Sequence, residues 1–394
     1  MSSALERRLQ RSLGRLPQPT REATRRARTA ALATLPEQEL ARGLGLAFAG
    51  VAIVVALGIG AASLAATGNL HVQLGREQPR LKPAPTHLQV PSGTNGIAVV
   101  AGGKLWLATR LGLRIEGMAV SAAELSPRAL YAAAGVGTAL VALAPGRRAW
   151  THATGGRVTA IAWSPDGLKI AYVVRRRGQF QLRLIEGDGD HDRLLYRNVA
   201  AVKPSWRSDS LAVAYLGGGG GKAKVYDLGA DRSRSFATSS CGGRARAVAY
   251  APGAHRLALA GTRGLVVISR WSGQPSCVPF DHRAGTTSLT WLSDSRLVTS
   301  DNPLAGTHSR STLHGYGWRP RRGLVGDARS FTRVRLLAGT ASPRGRRVAL
   351  AVRVTRGVVR VYLTAPPASD GQLQLGRPTF RVTTTAARVT ISWR

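Results

Sequence analysis

The residues that could do chemistry are few and poorly grouped. Asp188, Asp190 and Asp192 alternate in the manner of the start of a calcium loop. Such a loop also needs a bidentate carboxylate further on, and none stands at the required distance, so the segment reads as a hairpin turn. His308 and His314 share a loop-like stretch with Tyr316 and Trp318, but the eight histidines include no H-E-x-x-H pair that could seat zinc. Gly217 to Gly221 is a run of five glycines with no Lys-Ser/Thr behind it, which excludes a phosphate loop and leaves a hairpin. No G-x-S-x-G nucleophile elbow occurs. Arg175-Arg176-Arg177 and the cluster Arg319, Arg321, Arg322 are basic turns, either solvated or in contact with a polyanion. Catalytic, cofactor and metal sites are therefore not expected. The two cysteines, Cys241 and Cys277, form a candidate disulfide if the chain meets an oxidising compartment and their Cα atoms come within bridging distance.

The elements that position these residues announce themselves by repetition. Val158 to Tyr172 is an alternating strand, a Ser164-Pro165-Asp166-Gly167 turn and a second strand. Weaker copies follow, and the residue closing the first strand of each is Leu125, Trp163, Trp206, Tyr250, Trp291, Ala341 and Trp393, at spacings of 38 to 52 residues. A unit of about 40–50 residues, rich in short strands, is a propeller blade. Pro presets φ in the turns and Gly accepts positive φ, which makes Asp166 and Gly167 structural residues alongside the aromatic anchors Trp163, Trp206, Tyr250, Trp291 and Trp393.

Residues 388–393 have the alternation of an innermost strand with no blade after them, and 96–109 lack an innermost strand before them. Pairing the two makes one composite closing blade and removes two exposed sheet edges. The expected fold is all-β: a seven-bladed propeller over 96–394, with six or eight blades open because the outer strands of 288–330 are hard to see. The phrase Val158–Tyr172, with the following Leu182-Arg183-Leu184-Ile185 strand and its acidic-glycine turn Glu186 to Asp190, resembles the WD-like repeat of TolB-type propellers. Arg128, Gly253 and Arg344 stand where that family favours an acid or amide, and the terminal Trp-Asp of WD repeats is absent. The resemblance implies a propeller used for protein contacts.

Ahead of the propeller lie three further segments. Residues 44–67 contain no charge and no proline, long enough at about 1.5 Å per residue to span a hydrocarbon core of about 30 Å. Nine arginines precede this run and the first basic residue after it is Arg76, so the positive-inside rule puts 1–43 in the cytoplasm and the propeller outside. Residues 1–43 read as two short amphipathic helices, either lying on anionic lipid or docking a cytoplasmic partner. Residues 68–95 hold four prolines and read as a linker.

The 56 basic residues against 20 acidic ones give a formal +36. This favours polyanionic neighbours at the envelope, whereas the spread of the arginines and the expected location disfavour nucleic acid. The functional expectation is a single-pass, non-enzymatic cell-membrane protein whose extracytoplasmic propeller binds a protein or an anionic envelope polymer. The alternatives are an anti-sigma-like transmembrane regulator with a propeller sensor, and an enzyme using the central channel. The first predicts a partner held by 1–43, the second convergent carboxylates or histidines in the channel.

Overall fold

Short alternating strands divided by Pro, Gly, Asp and Ser turns pair with their sequence neighbours, because a hairpin satisfies backbone groups at the smallest loop cost. The computed structural model describes residues 81–83 and, with short gaps, 96–394. The cytoplasmic segment, the membrane helix and most of the linker expected from the sequence lie outside those residues. Among the described residues no helix is long and apolar enough to cross a membrane.

Seven sheets form, each built around one antiparallel meander. The innermost strands of the second to seventh blades are Val120–Leu125, Arg157–Trp163, Ser205–Trp206, Ala245–Tyr250, Ala284–Ser293 and Arg335–Ala341. The first blade is composite. Its innermost strand is Val389–Trp393, paired antiparallel with Gly96–Ala101 from Ile97↔Trp393 to Ala101↔Val389. Gly96 and Arg394 extend the seam by exchanging backbone hydrogen bonds of 2.9 and 3.0 Å. The fold is thus an all-β, seven-bladed propeller, with every repeat anchor on an innermost strand.

Three details differ from the sequence reading. The sixth blade, whose outer strands were obscure, has two long ones, Ser311–Arg319 and Gly323–Thr332, and gains a parallel fifth strand at Gly371–Gln372. His314, Tyr316 and Trp318 lie on the first of these rather than in a loop; His308 is outside the described residues. Leu81–Pro83, read as linker, pairs with Leu113–Ile115 and forms the outer edge of the first blade. The five-glycine run is a hairpin containing a short 3-10 turn, Gly218–Gly220, as its lack of side chains suggests.

The buried side chains fall into seven clusters, one between each pair of neighbouring blades. Large residues of one blade meet small ones of the blade before it. Trp206 packs on Ala160, Ala162 and Ala171, and Trp291 on Ala249, Ala251 and Ala258. Each ring also carries a polar latch. The Nε1–H of Trp163, Trp206 and Trp291 donates to the carbonyl of Glu124, Ala162 and Ala249, at 3.2, 2.8 and 3.0 Å. Each acceptor stands one residue before the anchor of the preceding blade, so the latch repeats in register. In the third blade's turn, Asp166 Oδ1 accepts from Ser164 Oγ at 2.5 Å and from the Leu168 N–H at 2.9 Å, and Gly167 takes the φ of +73° that closes it.

Two outcomes follow. Trp206→Phe keeps most of the buried ring and loses the donor, and should cost about 1–3 kcal/mol in denaturant melts through the stranded Ala162 carbonyl. Trp206→Ala should cost about 3–5 kcal/mol. Equal losses for the two would show that the latch contributes nothing. Removing residues 389–394 should lower the melting temperature of the whole propeller and expose it to protease, because it leaves an unpaired edge at Gly96–Ala101; an unchanged melt and digestion pattern would refute ring closure by this strand.

Candidate functional site

The innermost strands surround a channel with a cavity of about 570 Å³, bordered by small residues of those strands, by several of the aromatic anchors and by Glu124, Lys203, Arg246 and Arg394. The residue just before each anchor borders it in six blades: Glu124, Ser205, Ala249, Thr290, Thr340 and Ser392. Small residues are required there because seven strands converge on one axis. Their hydroxyls serve the ring as well. Ser205 Oγ accepts from the Tyr250 N–H at 2.9 Å, and Thr290 Oγ1 from the Ala341 N–H at 3.1 Å, each joining one blade to the next.

Glu124 is the exception in size and charge. It is 2% exposed, yet three groups from three other blades converge on it. The Trp163 N–H donates to Oε2 at 3.1 Å, Lys203 Nζ to Oε1 at 2.8 Å, and Arg394 Nη2 to Oε1 at 2.6 Å. Burial pushes the Glu124 carboxyl up, but the Lys203 and Arg394 charges and the hydrogen bonds outweigh it and hold the group below its ordinary value. Such a carboxylate is ionised, saturated with donors and a poor proton acceptor. Lys203, 52% exposed, and Arg394, 30% exposed, keep part of their surface toward the channel, where Arg246 also stands. The mouth is cationic with one neutralising charge at its base.

Sequence reading missed Glu124. The available signal was a lone acid at the position before Leu125, where the other repeats carry Ala, Ser or Thr. Its partners, 79 and 270 residues away, were not readable.

The alternating aspartates do structural work. Asp192 accepts from Arg183 Nε and Nη2 at 3.0 and 2.7 Å and from Tyr172 OH at 2.8 Å, and lies 3.0 Å from His152 Nε2 of the second blade. Burial pushes the Asp192 carboxyl up, and its Arg183 and Tyr172 bonds pull it below its ordinary value. Asp188 Oδ1 caps its own turn through the Asp190 N–H at 3.1 Å. Among the described residues no group of three His, Cys, Asp or Glu side chains could hold a metal. His314 is stacked between Phe280 and Tyr316, with ring centroids 6.2 and 6.0 Å away. Cys277 lies on the outermost strand of the fifth blade and is not a free thiol; Cys241 is outside the described residues.

No protein-family model matches the sequence, and no curated protein matches it significantly. Solved structures do resemble it in shape. The Cps50 (Swd1) β-propeller domain of Myceliophteria thermophila aligns at TM-score 0.50 and 12% identity, covering 64% of this chain and 84% of that one. A candidate 6-phosphogluconolactonase from Bacteroides uniformis aligns at TM-score 0.51 and 15% identity, covering 75% and 99%. TolB from Acinetobacter baumannii aligns at TM-score 0.46 and 14% identity, covering 77% and 68%, too loosely to carry weight beyond its agreement in outline. At these identities the likeness is one of fold, shared by proteins of unrelated activity.

The Glu124 cluster generates a pH prediction. Its carboxyl has a depressed folded value, so its stabilisation is present above the ordinary glutamate value of 4.5 and is lost as pH falls through the folded one. Acid destabilisation should be shallower in Glu124→Gln than in the parent below about pH 4.5. The double variant Lys203→Met, Arg394→Met, which strands the carboxylate, should cost about 3–5 kcal/mol at neutral pH. Identical pH profiles for parent and Glu124→Gln would show that Glu124 is not the linked group.

Proposed function

We propose that this chain is a membrane-anchored binding module: a short cytoplasmic segment, one membrane helix over 44–67, and an extracytoplasmic propeller that binds a protein or an anionic envelope polymer and catalyses no reaction. The observation that carries the choice of binding over catalysis is the state of Glu124. Acid–base chemistry needs a group whose pKa lies near the working pH and whose lone pairs can reach substrate. The carboxylate of the channel is instead shifted away from neutrality and committed to Lys203, Arg394 and the Trp163 N–H. The channel thus offers fixed cations to a ligand and no poised base.

Charge supports the anionic class of ligand. Residues 1–43 hold nine of the 56 basic and four of the 20 acidic residues, and 44–68 hold neither, which leaves a formal +31 on residues 69–394. A surface field of that sign raises the local concentration of polyanions and falls off within about 10 Å at 0.1 M salt.

The full chain in mild detergent should bind immobilised dextran sulfate at low salt and elute over a narrow rise in ionic strength. Failure to bind at low salt, or retention that salt does not weaken, would count against an electrostatic role. Affinity capture from membranes, followed by identification of bound proteins, tests the protein-binding arm. Recovery of the chain in the soluble fraction without detergent would overturn the anchor.

A further inference from the structure

Among the described residues, three large hydrophobic side chains stand exposed: Leu130 at 57%, Tyr131 at 41% and Leu211 at 52%. They share one place in the repeat. Leu130 and Leu211 lie five residues past the anchors Leu125 and Trp206, at the tip of the turn between the innermost and second strands. Leu168 holds the same place in the third blade and is half-buried, and its carbonyl accepts from the Gly187 N–H of the Glu186–Asp190 turn at 2.8 Å. Two of the tips are braced. Asp166 accepts from the Leu168 N–H, and Asp209 from the Leu211 N–H, both at 2.9 Å. A leucine thus stands at the same turn position on three consecutive blades, exposed on the second and fourth and half-buried on the third.

Beyond the fourth blade the same position changes character. It is His255 in the fifth blade, Arg296 in the sixth and Arg346 in the seventh, all exposed. Arg347 follows Arg346, and the turn bearing Arg319 and Arg322 is held beside the sixth tip by a 2.7 Å bond from the Trp318 N–H to the Ser295 carbonyl. The face therefore has an apolar arc on blades two to four, a polar His255 tip on the fifth, an arginine-bearing arc on blades six and seven in which Asp294 is the one acid among the described tip residues, and the Lys203 and Arg394 side chains at the channel between them.

Resting on the reading of the propeller as a binding module, we infer that this hairpin face docks an acidic polypeptide segment of a partner protein. Its apolar side chains would lie on the Leu130, Leu168 and Leu211 tips and its carboxylates against Arg296, Arg346 and the channel cations. Large apolar side chains exposed at one register of a single face, beside arginines at the same register, suit an amphipathic partner, and charge complementarity sets the orientation of what binds. An anionic bilayer fits less well. The acidic turns Glu186, Asp188 and Asp190 of the third blade and Asp227 and Asp231 of the fourth flank the apolar arc and would repel a uniform sheet of anionic headgroups, whereas a peptide can keep its carboxylates on the side that meets the arginines.

The test uses the full chain in mild detergent and fluorescent peptides. One has Leu on one side and Glu on the other, a second replaces Leu by Ser, and a third replaces Glu by Lys. The Leu/Glu peptide should bind at least roughly tenfold more tightly than either control. Leu130→Ser with Leu211→Ser, and separately Arg296→Glu with Arg346→Glu, should each weaken it by a similar factor while the melting temperature stays unchanged. Equal binding of the Ser or Lys control, or indifference to both pairs of substitutions, overturns the proposal. So does self-association, or binding to anionic vesicles, that the leucine substitutions abolish, since either makes a second copy or a membrane the occupant. If both variants still capture the partners recovered with the parent chain, the binding-module reading survives and this face is wrong.

Discussion

Everything in this propeller depends on closing the ring. A meander sheet leaves one edge at the axis and one at the rim, and a row of seven leaves a further mismatch where the first blade must meet the last. Here the mismatch is resolved by splitting the first blade between two distant parts of the chain, Val389–Trp393 and Gly96–Ala101. The pairing removes an exposed edge and brings Arg394 onto Glu124 of the second blade at 2.6 Å. The closing strand is thereby tied on both sides, by its ladder to its own blade and by charge to the next.

The same logic operates joint by joint. Between blades two and three, three and four, and five and six, a tryptophan N–H donates to the carbonyl before the preceding anchor. Between four and five, and six and seven, the anchor is Tyr or Ala, and a hydroxyl on the preceding blade accepts the anchor's backbone N–H instead. Where the anchor can donate from its ring, the position before the preceding one is free to be Ala; where it cannot, that position is Ser or Thr. Glu124 does both, receiving Trp163 at its carbonyl and at its carboxylate. At the seventh-to-first joint, the buried Trp393 Nε1 has no partner among the described residues, and Trp393 and Val389 pack against Ala338, Ala349 and Ala351.

Much of this was legible in the sequence because it is local. Ser164-Pro165-Asp166-Gly167 specifies a turn by the φ values of two residues, and the tryptophans mark register because a large ring needs small neighbours one blade back. The composite blade was legible from an unmatched alternation at each end. The sixth blade was obscure because its outer strands, Ser311–Arg319 and Gly323–Thr332, interleave Gly, Ser and charged residues with their apolar ones, which blurs the period-2 signal. Leu81–Pro83 was obscure because proline argues against a strand, although an edge position tolerates it.

The candidate site was far less legible, for a physical reason. A strand pattern states which side chains share a face, but not which residues of other blades meet them at the axis. Glu124 could be noticed as an odd acid; that it is neutralised by Lys203 and Arg394 requires the ring. The hairpin face has the same character. Leu130, Leu168 and Leu211 look like scattered surface leucines until the anchors put them in one register, and His255, Arg296 and Arg346 then fall in the same register on the opposite arc. Turn tips are the part of a blade least constrained by neighbouring blades, so their composition is free to be set by what they touch. The closed ring fixes the positions of these tips while leaving their chemistry open, and that separation lets one scaffold carry an apolar arc and a cationic one on a single face.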